Sequence, residues 1–500
     1  MKNVSFQRKM GYVIAIAILL YPMFLLSQPS SANRDGKPGA PGGKLAQLRT
    51  QYDFDESELG DVDLLSTSFR LFGMTPVANT FLWNKANEYK MKKDWTNLAA
   101  TLNQLARLIP HFETVWRFQG WNLAYNVSVE FDDYRQRYHW VIRGIEFLKE
   151  GVKMNKRSIR LTWDVGWDTS QKIGKSDERV QFRRLYRADN DLHGSRPMEQ
   201  RDCWLVGKEW YYRAEDVVKS GVPLGSISEV LFYSNAPMNQ MSYSDNLEKD
   251  GRFDESVERS WKQAAAEWKA YGNREIKTSI GPVIRLNDQE LFDEQKARLE
   301  KEFEALQPGL RAQIVEERRK TLTPEQLAAY NKSPDDKTAD EFNLTSEAEN
   351  ILRVTNQEVA QRMTADRRGR GEEMAKKLDN ATDQSTWTER YREVVNFTYW
   401  RHRGQFDQRK EIINARKLFY DGRQAFRKGD LVVSKRNFDE AFQIMRQTMD
   451  LPEFAGLDKE DAMGLDVREL METYVNILQQ RNEQLPDDFI LMDVYKKSKD

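Results

Sequence analysis

Apolar residues along most of this chain recur every three or four positions, which is the spacing of one face of an α-helix. The first such stripe lies between 79 and 92 and consists of Phe81, Leu82, Ala86 and Tyr89. A second stripe runs from Leu98 to Pro110, which ends it because proline has no N–H to donate. Segments that alternate apolar and polar residues are sparse. The pattern predicts an all-α fold whose first helical hairpin turns at Lys93-Asp94.

Four positions of this hairpin resemble the tetratricopeptide repeat, a helical hairpin with a period of about 34 residues. They match its large, small, aromatic and closing-proline positions: Leu82, Ala86, Tyr89 and Pro110. Trp116 and Gly120 resemble the opening of a second unit, and the segment 163–167 repeats their pattern with one residue fewer. The resemblance implies an α-solenoid of degenerate hairpins. A generic α-helical bundle is the alternative.

The strongest similarity to the repeat lies near the C-terminus. Residues 422–430 resemble its first helix and turn, and residues 437–441 resemble the start of its second helix. This alignment makes Leu431 to Arg436 an insertion between the two helices. The whole chain also resembles single-anchor membrane proteins of Planctomycetes-type bacteria, a resemblance that implies no activity.

At the N-terminus, Lys2, Arg8 and Lys9 precede an uncharged apolar run from Met10 to Leu26. Positive charge on this side favours a cytoplasmic N-terminus. The run is longer than the apolar part of a signal peptide, about 7–15 residues, and close to the about 20 residues of a spanning helix. We therefore favour an uncleaved inner-membrane anchor over a signal cleaved near Ser30-Ser31-Ala32. Both predict a body outside the cytoplasm, in the periplasm.

Composition divides the chain into five segments. The anchor, 1–27, is followed by a linker rich in Pro, Gly and Ser, 28–60, which is typical of flexible tethers. Repeat-like helical regions span 61–286 and 386–500, and a charged helical insertion spans 287–385. Within the insertion, Asn287 with Glu290 resembles a capping box before a stripe from Leu291 to Leu306, and Thr323 opens another predicted helix.

Charge and residue counts exclude several kinds of chemistry. The formal net charge is −1, so there is no global basic field for nucleic acid. A single cysteine excludes an internal disulfide, and the four histidines lack metal-ligand spacing. Gly174-Lys175-Ser176 imitates the end of a P-loop, but Thr169 stands where that motif needs glycine. We predict no catalytic site, metal, cofactor or small-molecule ligand.

Aromatic residues are densest between Trp83 and Tyr212, and most of them are expected in the core. In the tetratricopeptide family, residues of each first helix line a concave groove that holds peptide segments. By position, the resemblance implies a partner-binding groove lined by Trp83, Asn87, Lys90, Arg117, Trp121 and Tyr125. Tryptophan, tyrosine and arginine dominate the energetics of protein interfaces.

These patterns predict a membrane-anchored helical-repeat scaffold that binds a protein or peptide partner in the cell envelope. One alternative is an enzyme whose site is not visible as a motif. Another is a structural spacer that self-associates through helix pairing in the charged insertion.

Overall fold

The computed structural model of the chain describes residues 75–279 and 281–497, together with scattered positions between 10 and 47. Within them the protein is almost entirely helical, which confirms the predicted all-α class. The sheet is one short antiparallel pair, β1 (Ile276–Lys277) and β2 (Val283–Ile284), with Ile276 opposite Ile284. The chain forms two compact units that meet in sequence at 226–227.

Between residues 75 and 226, the first unit contains nine α-helices. In chain order they are α1 (Thr75–Met91), α2 (Trp95–Leu108), α3 (Glu113–Trp121), α4 (Tyr134–Met154), α5 (Ile159–Trp167), α6 (Ile173–Lys175), α7 (Arg179–Ala188), α8 (Asn190–His193) and α9 (Cys203–Lys219). Two π-helical turns, Asn122–Val127 and Asp168–Lys172, directly follow α3 and α5.

The first hairpin forms as the sequence predicts. Lys93 takes a left-handed conformation in the turn, and the Asp94 side chain accepts a hydrogen bond from the backbone N–H of Asn97 to start α2. Leu98 and Leu102 are fully buried against Ala86 of α1. Phe81 was expected on the buried stripe but is 62% exposed, because that stripe is centred on Ala86.

Small residues let α3 and α4 pack closely. A Cβ atom on Gly144 would lie 2.6 Å from the carbonyl oxygen of Gly120, and one on Gly151 would lie 2.8 Å from the Trp116 ring. Trp116 is buried in this contact and donates its indole N–H to the carbonyl of Pro110 at 2.7 Å. The α3–α4 crossing is therefore fixed at backbone-to-backbone distance.

The second unit contains the remaining described helices. They are α10 (Glu229–Lys249), α11 (Glu255–Gly272), α12 (Gln289–Leu306), α13 (Leu310–Arg319), α14 (Pro324–Asn331), α15 (Ala339–Leu352), α16 (Asn356–Arg362), α17 (Ala365–Val394), α18 (Phe397–Asp407), α19 (Lys410–Arg427), α20 (Leu431–Met449), α21 (Asp461–Gln480) and α22 (Met492–Lys497).

The predicted insertion at 431–436 is wrong. Asp430 caps α20 by accepting a hydrogen bond from the N–H of Val433, so the second helix of the hairpin begins at Leu431 and continues without interruption. The Ser434 hydroxyl donates to the carbonyl of Gly422 at 2.8 Å, which ties this first turn to α19. Residues 431–436 are therefore part of the helix pairing.

The charged region 287–385 has a small apolar core of its own, to which Leu299, Phe303 and Ile314 contribute. The Thr323 capping box is present as predicted. Asn287 does not cap α12, because its side chain donates instead to Lys269 and Asn273. Leu291 is exposed although it was expected on the apolar stripe. Helix α17 continues through the predicted boundary at 385–386.

Residues 1–27 and 28–60, predicted as anchor and linker, lie largely outside the described part of the chain. Among the described residues, no helix has both the length and the apolar character that crossing a bilayer requires.

The α19–α20 contact predicts opposite effects for two glycines of the second unit. A Cβ on Gly422 would lie 2.7 Å from the buried Phe438 ring, whereas one on Gly369 in α17 would meet nothing within 4 Å. We expect Gly422→Ala to lower the free energy of unfolding by about 1–3 kcal/mol through overpacking. Gly369→Ala should raise it by up to about 1 kcal/mol, because alanine favours the helix. Urea unfolding of both variants measures this, and equal effects would contradict the close α19–α20 packing.

Candidate binding groove

An open groove of about 780 Å³ lies in the first unit between two segments of similar sequence. One wall is α3 with the π-helical turn that follows it. The other wall is α5 with its π-helical turn and α6. Five aromatic side chains line it: Phe118, Trp121, Tyr125, Trp163 and Trp167. Four basic and two acidic side chains also line it: Arg117, Arg160, Lys172, Lys175, Asp164 and Asp168.

Helices α3 and α5 each end with a buried glycine followed by a tryptophan that points into the groove. A Cβ on Gly120 would lie 2.5 Å from the Leu148 side chain, and one on Gly166 would lie 3.0 Å from the carbonyl oxygen of Gly207. Each glycine thus faces a helix crossing. The next residue points about 100° away around the helix, so Trp121 and Trp167 reach the groove and are 46% and 39% exposed.

The aromatic side chains pair along each wall. The ring centroids of Trp121 and Tyr125 are 6.3 Å apart with 19° between the planes, and those of Trp163 and Trp167 are 5.1 Å apart with 21°. Residues four apart share a helix face, which places each pair side by side. Trp163 is backed by the buried ring of Tyr211 at 5.9 Å. The rings therefore form a supported apolar surface on both sides of the groove.

An ion pair joins the two walls. The Arg117 guanidinium of α3 donates to the carboxylate of Asp164 in α5, with 2.5 Å between Nε and Oδ2. Burial raises the pKa of Asp164, and the hydrogen bond from Arg117 acts against that rise. The pair sets the spacing of the walls in a partly buried place, where such contacts are stronger than on open surface.

Asp168 is the most deeply buried acid of the groove. It is 5% exposed, and the Tyr125 hydroxyl donates to its Oδ1 at 3.4 Å. Burial, together with repulsion from Asp164, raises the pKa of Asp168 to about 7. The Lys172 ammonium lies 4.7 Å from the centroid of the Tyr125 ring, and burial lowers the pKa of this lysine. The proton on Asp168 is therefore exchanged close to neutral pH.

The π-helical turns shape this arrangement. Each begins directly after the outward tryptophan, at Asn122 and at Asp168. A π-helical turn holds one residue more than an α-helical turn and is frequent at functional sites. It changes the helix register just beyond the tryptophan and brings Tyr125 of one wall opposite Asp168 of the other.

Two polar groups of the groove have free hydrogen-bonding capacity. Trp163 Nε1 and Ser176 Oγ are buried atoms with no hydrogen-bond partner among the described residues. An indole N–H donates only, and a hydroxyl both donates and accepts. Between 75 and 497, the residues that the structure describes include no group of His, Cys, Asp or Glu suited to holding a metal ion. What the groove offers is binding: apolar faces, cations and free donors.

The structure separates the six predicted groove residues into two sets. Arg117, Trp121 and Tyr125 line the groove. Trp83, Asn87 and Lys90 lie on α1 and do not line it. Trp83 packs on Phe118 with 6.1 Å between ring centroids, and the Lys90 ammonium lies 5.3 Å from the same ring. Asn87 is exposed on α1. Helix α1 thus supports the edge of the groove through its contacts with Phe118.

The second wall was missed at the sequence level. Trp163, Asp164 and Trp167 come from the segment that repeats the Trp116–Trp121 pattern, and Asp168 and Lys172 come from the π-helical turn that follows it. Asp164 and Trp167 stand at the positions that Arg117 and Trp121 occupy in the preceding repeat. Applying the repeat alignment to this segment as well would have found them. Nothing in the sequence indicated the burial of Asp168.

No protein-family model matches this chain, and the comparisons with curated proteins and with solved structures give no match either. The similarity to the tetratricopeptide repeat therefore stays a prediction.

The raised pKa of Asp168 predicts a pH-dependent stability. The folded protein holds a proton that the unfolded chain releases near the ordinary value of 3.8. The stability contributed by Asp168 is therefore full below about pH 4 and is lost as the pH rises to about 7. We expect Asp168→Asn to gain free energy of unfolding relative to the wild type over this interval and to change little above it.

Urea unfolding of the full chain at a series of pH values measures this difference. Asp191→Asn, at an exposed position of α8, controls for the loss of one carboxyl group. A difference between wild type and Asp168→Asn that is the same at every pH would contradict the buried, protonated carboxyl.

Proposed function

We propose that this protein is a non-enzymatic scaffold of the cell envelope that holds an extended segment of a partner protein in the groove between α3 and α5. The N-terminal apolar run would anchor it in the inner membrane, with the body in the periplasm. The positive residues before that run support this orientation.

The observation that carries the proposal is the pair of outward tryptophans, Trp121 and Trp167. Large aromatic side chains are usually well buried, and a matched pair half exposed on facing walls is an unfilled apolar surface. The groove volume lies within the range of ligand sites, about 300–1,000 Å³. Because the groove is open to solvent, a segment of a longer chain can occupy it.

The side-chain types support a peptide. The groove combines aromatic rings with Arg117 and Arg160, the residue classes that dominate protein-binding hot spots. Asp164 can accept a hydrogen bond from a backbone N–H group, while the exposed Arg160 can donate to a backbone carbonyl. A peptide backbone offers both kinds of partner.

Helical hairpins in both units support a degenerate repeat architecture. Neighbouring helices pair as α1 with α2, α10 with α11, and α19 with α20. In repeat proteins such hairpins present binding surfaces formed by successive units. We propose that α3 and α5 play the part of two successive first helices, with the groove between them.

The proposal predicts that the two tryptophans facing the groove and the buried tryptophan of α3 have different roles. Peptides selected by phage display against the full chain in detergent supply ligands whose affinity can be measured by calorimetry. We expect Trp121→Ala and Trp167→Ala each to weaken binding by at least about 2 kcal/mol while leaving the melting temperature nearly unchanged. Trp116→Ala should instead lower the free energy of unfolding by about 3–5 kcal/mol, because Trp116 is buried.

Phe342→Ala is the matched control for loss of an exposed aromatic side chain, since Phe342 lies on α15 in the other unit. It should change neither binding nor stability. If every selected peptide binds Trp121→Ala and Trp167→Ala as tightly as the wild type, the groove is not the binding site.

A further inference from the structure

We propose that the segment held in the groove is acidic: a partner peptide that presents apolar side chains to the tryptophans and Asp or Glu carboxylates to the groove's lysines and arginine. This inference depends on the proposed function and specifies the chemistry of its ligand. Four cations face two carboxylates in the groove, and the pairing among them leaves the cations in excess.

Only one of the four cations is neutralised by a groove carboxylate. Arg117 is bound to Asp164. No ion pair of Arg160, Lys172 or Lys175 is found among the residues that the structure describes, although Arg160 acts on Asp164 and Lys172 on Asp168 from a longer distance. The Lys175 ammonium lies 5.8 Å from the Trp204 ring centroid, and burial alone lowers its pKa. Lys175 is exposed, and no carboxylate in the described part of the chain acts on its charge.

The carboxylates near Lys172 leave its charge largely unbalanced. Of these carboxylates, Glu178 raises the pKa of Lys172 most, but Glu178 is itself paired with Arg137. Asp168 is buried and shares its charge with a proton near neutral pH. The remaining neighbour, Asp177, is exposed to solvent, which screens it. An incoming carboxylate would restore the balance and regain the interactions that burial removes from the ammonium group.

The positions of the cations fit a peptide whose acidic and apolar side chains alternate. Lys172 and Lys175 follow the outward Trp167 along one wall, so apolar and charged contacts succeed one another within about two helical turns. The free Ser176 hydroxyl lies at the same end. Charge-assisted hydrogen bonds from lysine to carboxylate are about twice as strong as neutral ones. Together these contacts select an acidic segment over a neutral one of the same shape.

Three fluorescein-labelled peptides of equal length test the charge requirement. All carry leucine and phenylalanine at the same positions, and the alternating polar positions are glutamate, glutamine or lysine. Fluorescence anisotropy with the full chain in detergent should show saturable binding of the glutamate peptide. Binding of the glutamine peptide should be about tenfold weaker, and the lysine peptide should not bind. Raising the salt concentration should weaken the glutamate peptide most.

Protein variants locate the effect. Lys175→Glu should weaken the glutamate peptide at least about tenfold. Lys153→Glu makes the same change in net charge at an exposed position of α4 outside the groove, and it should have no effect. If Lys175→Glu lowers the melting temperature, the milder Lys172→Gln and Arg160→Gln together should still weaken the peptide. Trp167→Ala should abolish its binding.

The outcomes separate the two proposals. If the glutamine or lysine peptide binds as tightly as the glutamate peptide and all depend on Trp167, the acidic preference is wrong while the peptide groove stands. If no peptide binds in a Trp167-dependent way, both proposals fail. If an acidic oligosaccharide binds in that way and no peptide does, the occupant is a glycan and both proposals are overturned.

Discussion

The close contact of glycine with a neighbouring helix is the constraint on which the groove depends. At Gly120 and Gly166 the missing Cβ allows α3 and α5 to approach the helices behind them: a Cβ on Gly120 would overlap the Leu148 side chain, and one on Gly166 would press against the carbonyl oxygen of Gly207. Helical geometry then turns the following residue outward. Trp121 and Trp167 are exposed because their neighbours are pressed inward. Buried packing and the exposed aromatic surface are therefore consequences of one backbone arrangement.

The electrostatics of the groove follow from the same arrangement. Bringing the two walls together places Arg117 against Asp164 and Tyr125 against Asp168, and it buries both carboxyl groups. Burial makes the acids less ionised, so the nearby lysines keep an excess of positive charge. The groove is apolar and cationic at once, although the formal net charge of the chain is −1.

The sequence predicted the helical class and the first hairpin, because these depend on local spacing. The family resemblance named six groove residues, of which Arg117, Trp121 and Tyr125 line the groove in the structure. It failed where tertiary contacts decide the outcome. Phe81 follows the apolar period but lies off the face of α1 that packs on α2, which is centred on Ala86, so it is exposed. The alignment with the repeat treated residues 431–436 as an insertion between two helices, although the Asp430 cap shows that they begin a helix. The pKa of Asp168 depends on burial between two segments more than forty residues apart, which no pattern within one segment can show.

The central claim is that Trp121 and Trp167 line an open groove while Trp116 and Trp204 are buried behind it. Hydroxyl-radical footprinting of the full chain, read residue by residue with mass spectrometry, measures the accessibility of all four indoles in one experiment. The account predicts rapid oxidation of Trp121 and Trp167 and strong protection of Trp116 and Trp204. Protection of Trp121 and Trp167 equal to that of Trp116 would place them in the core and contradict the existence of the groove.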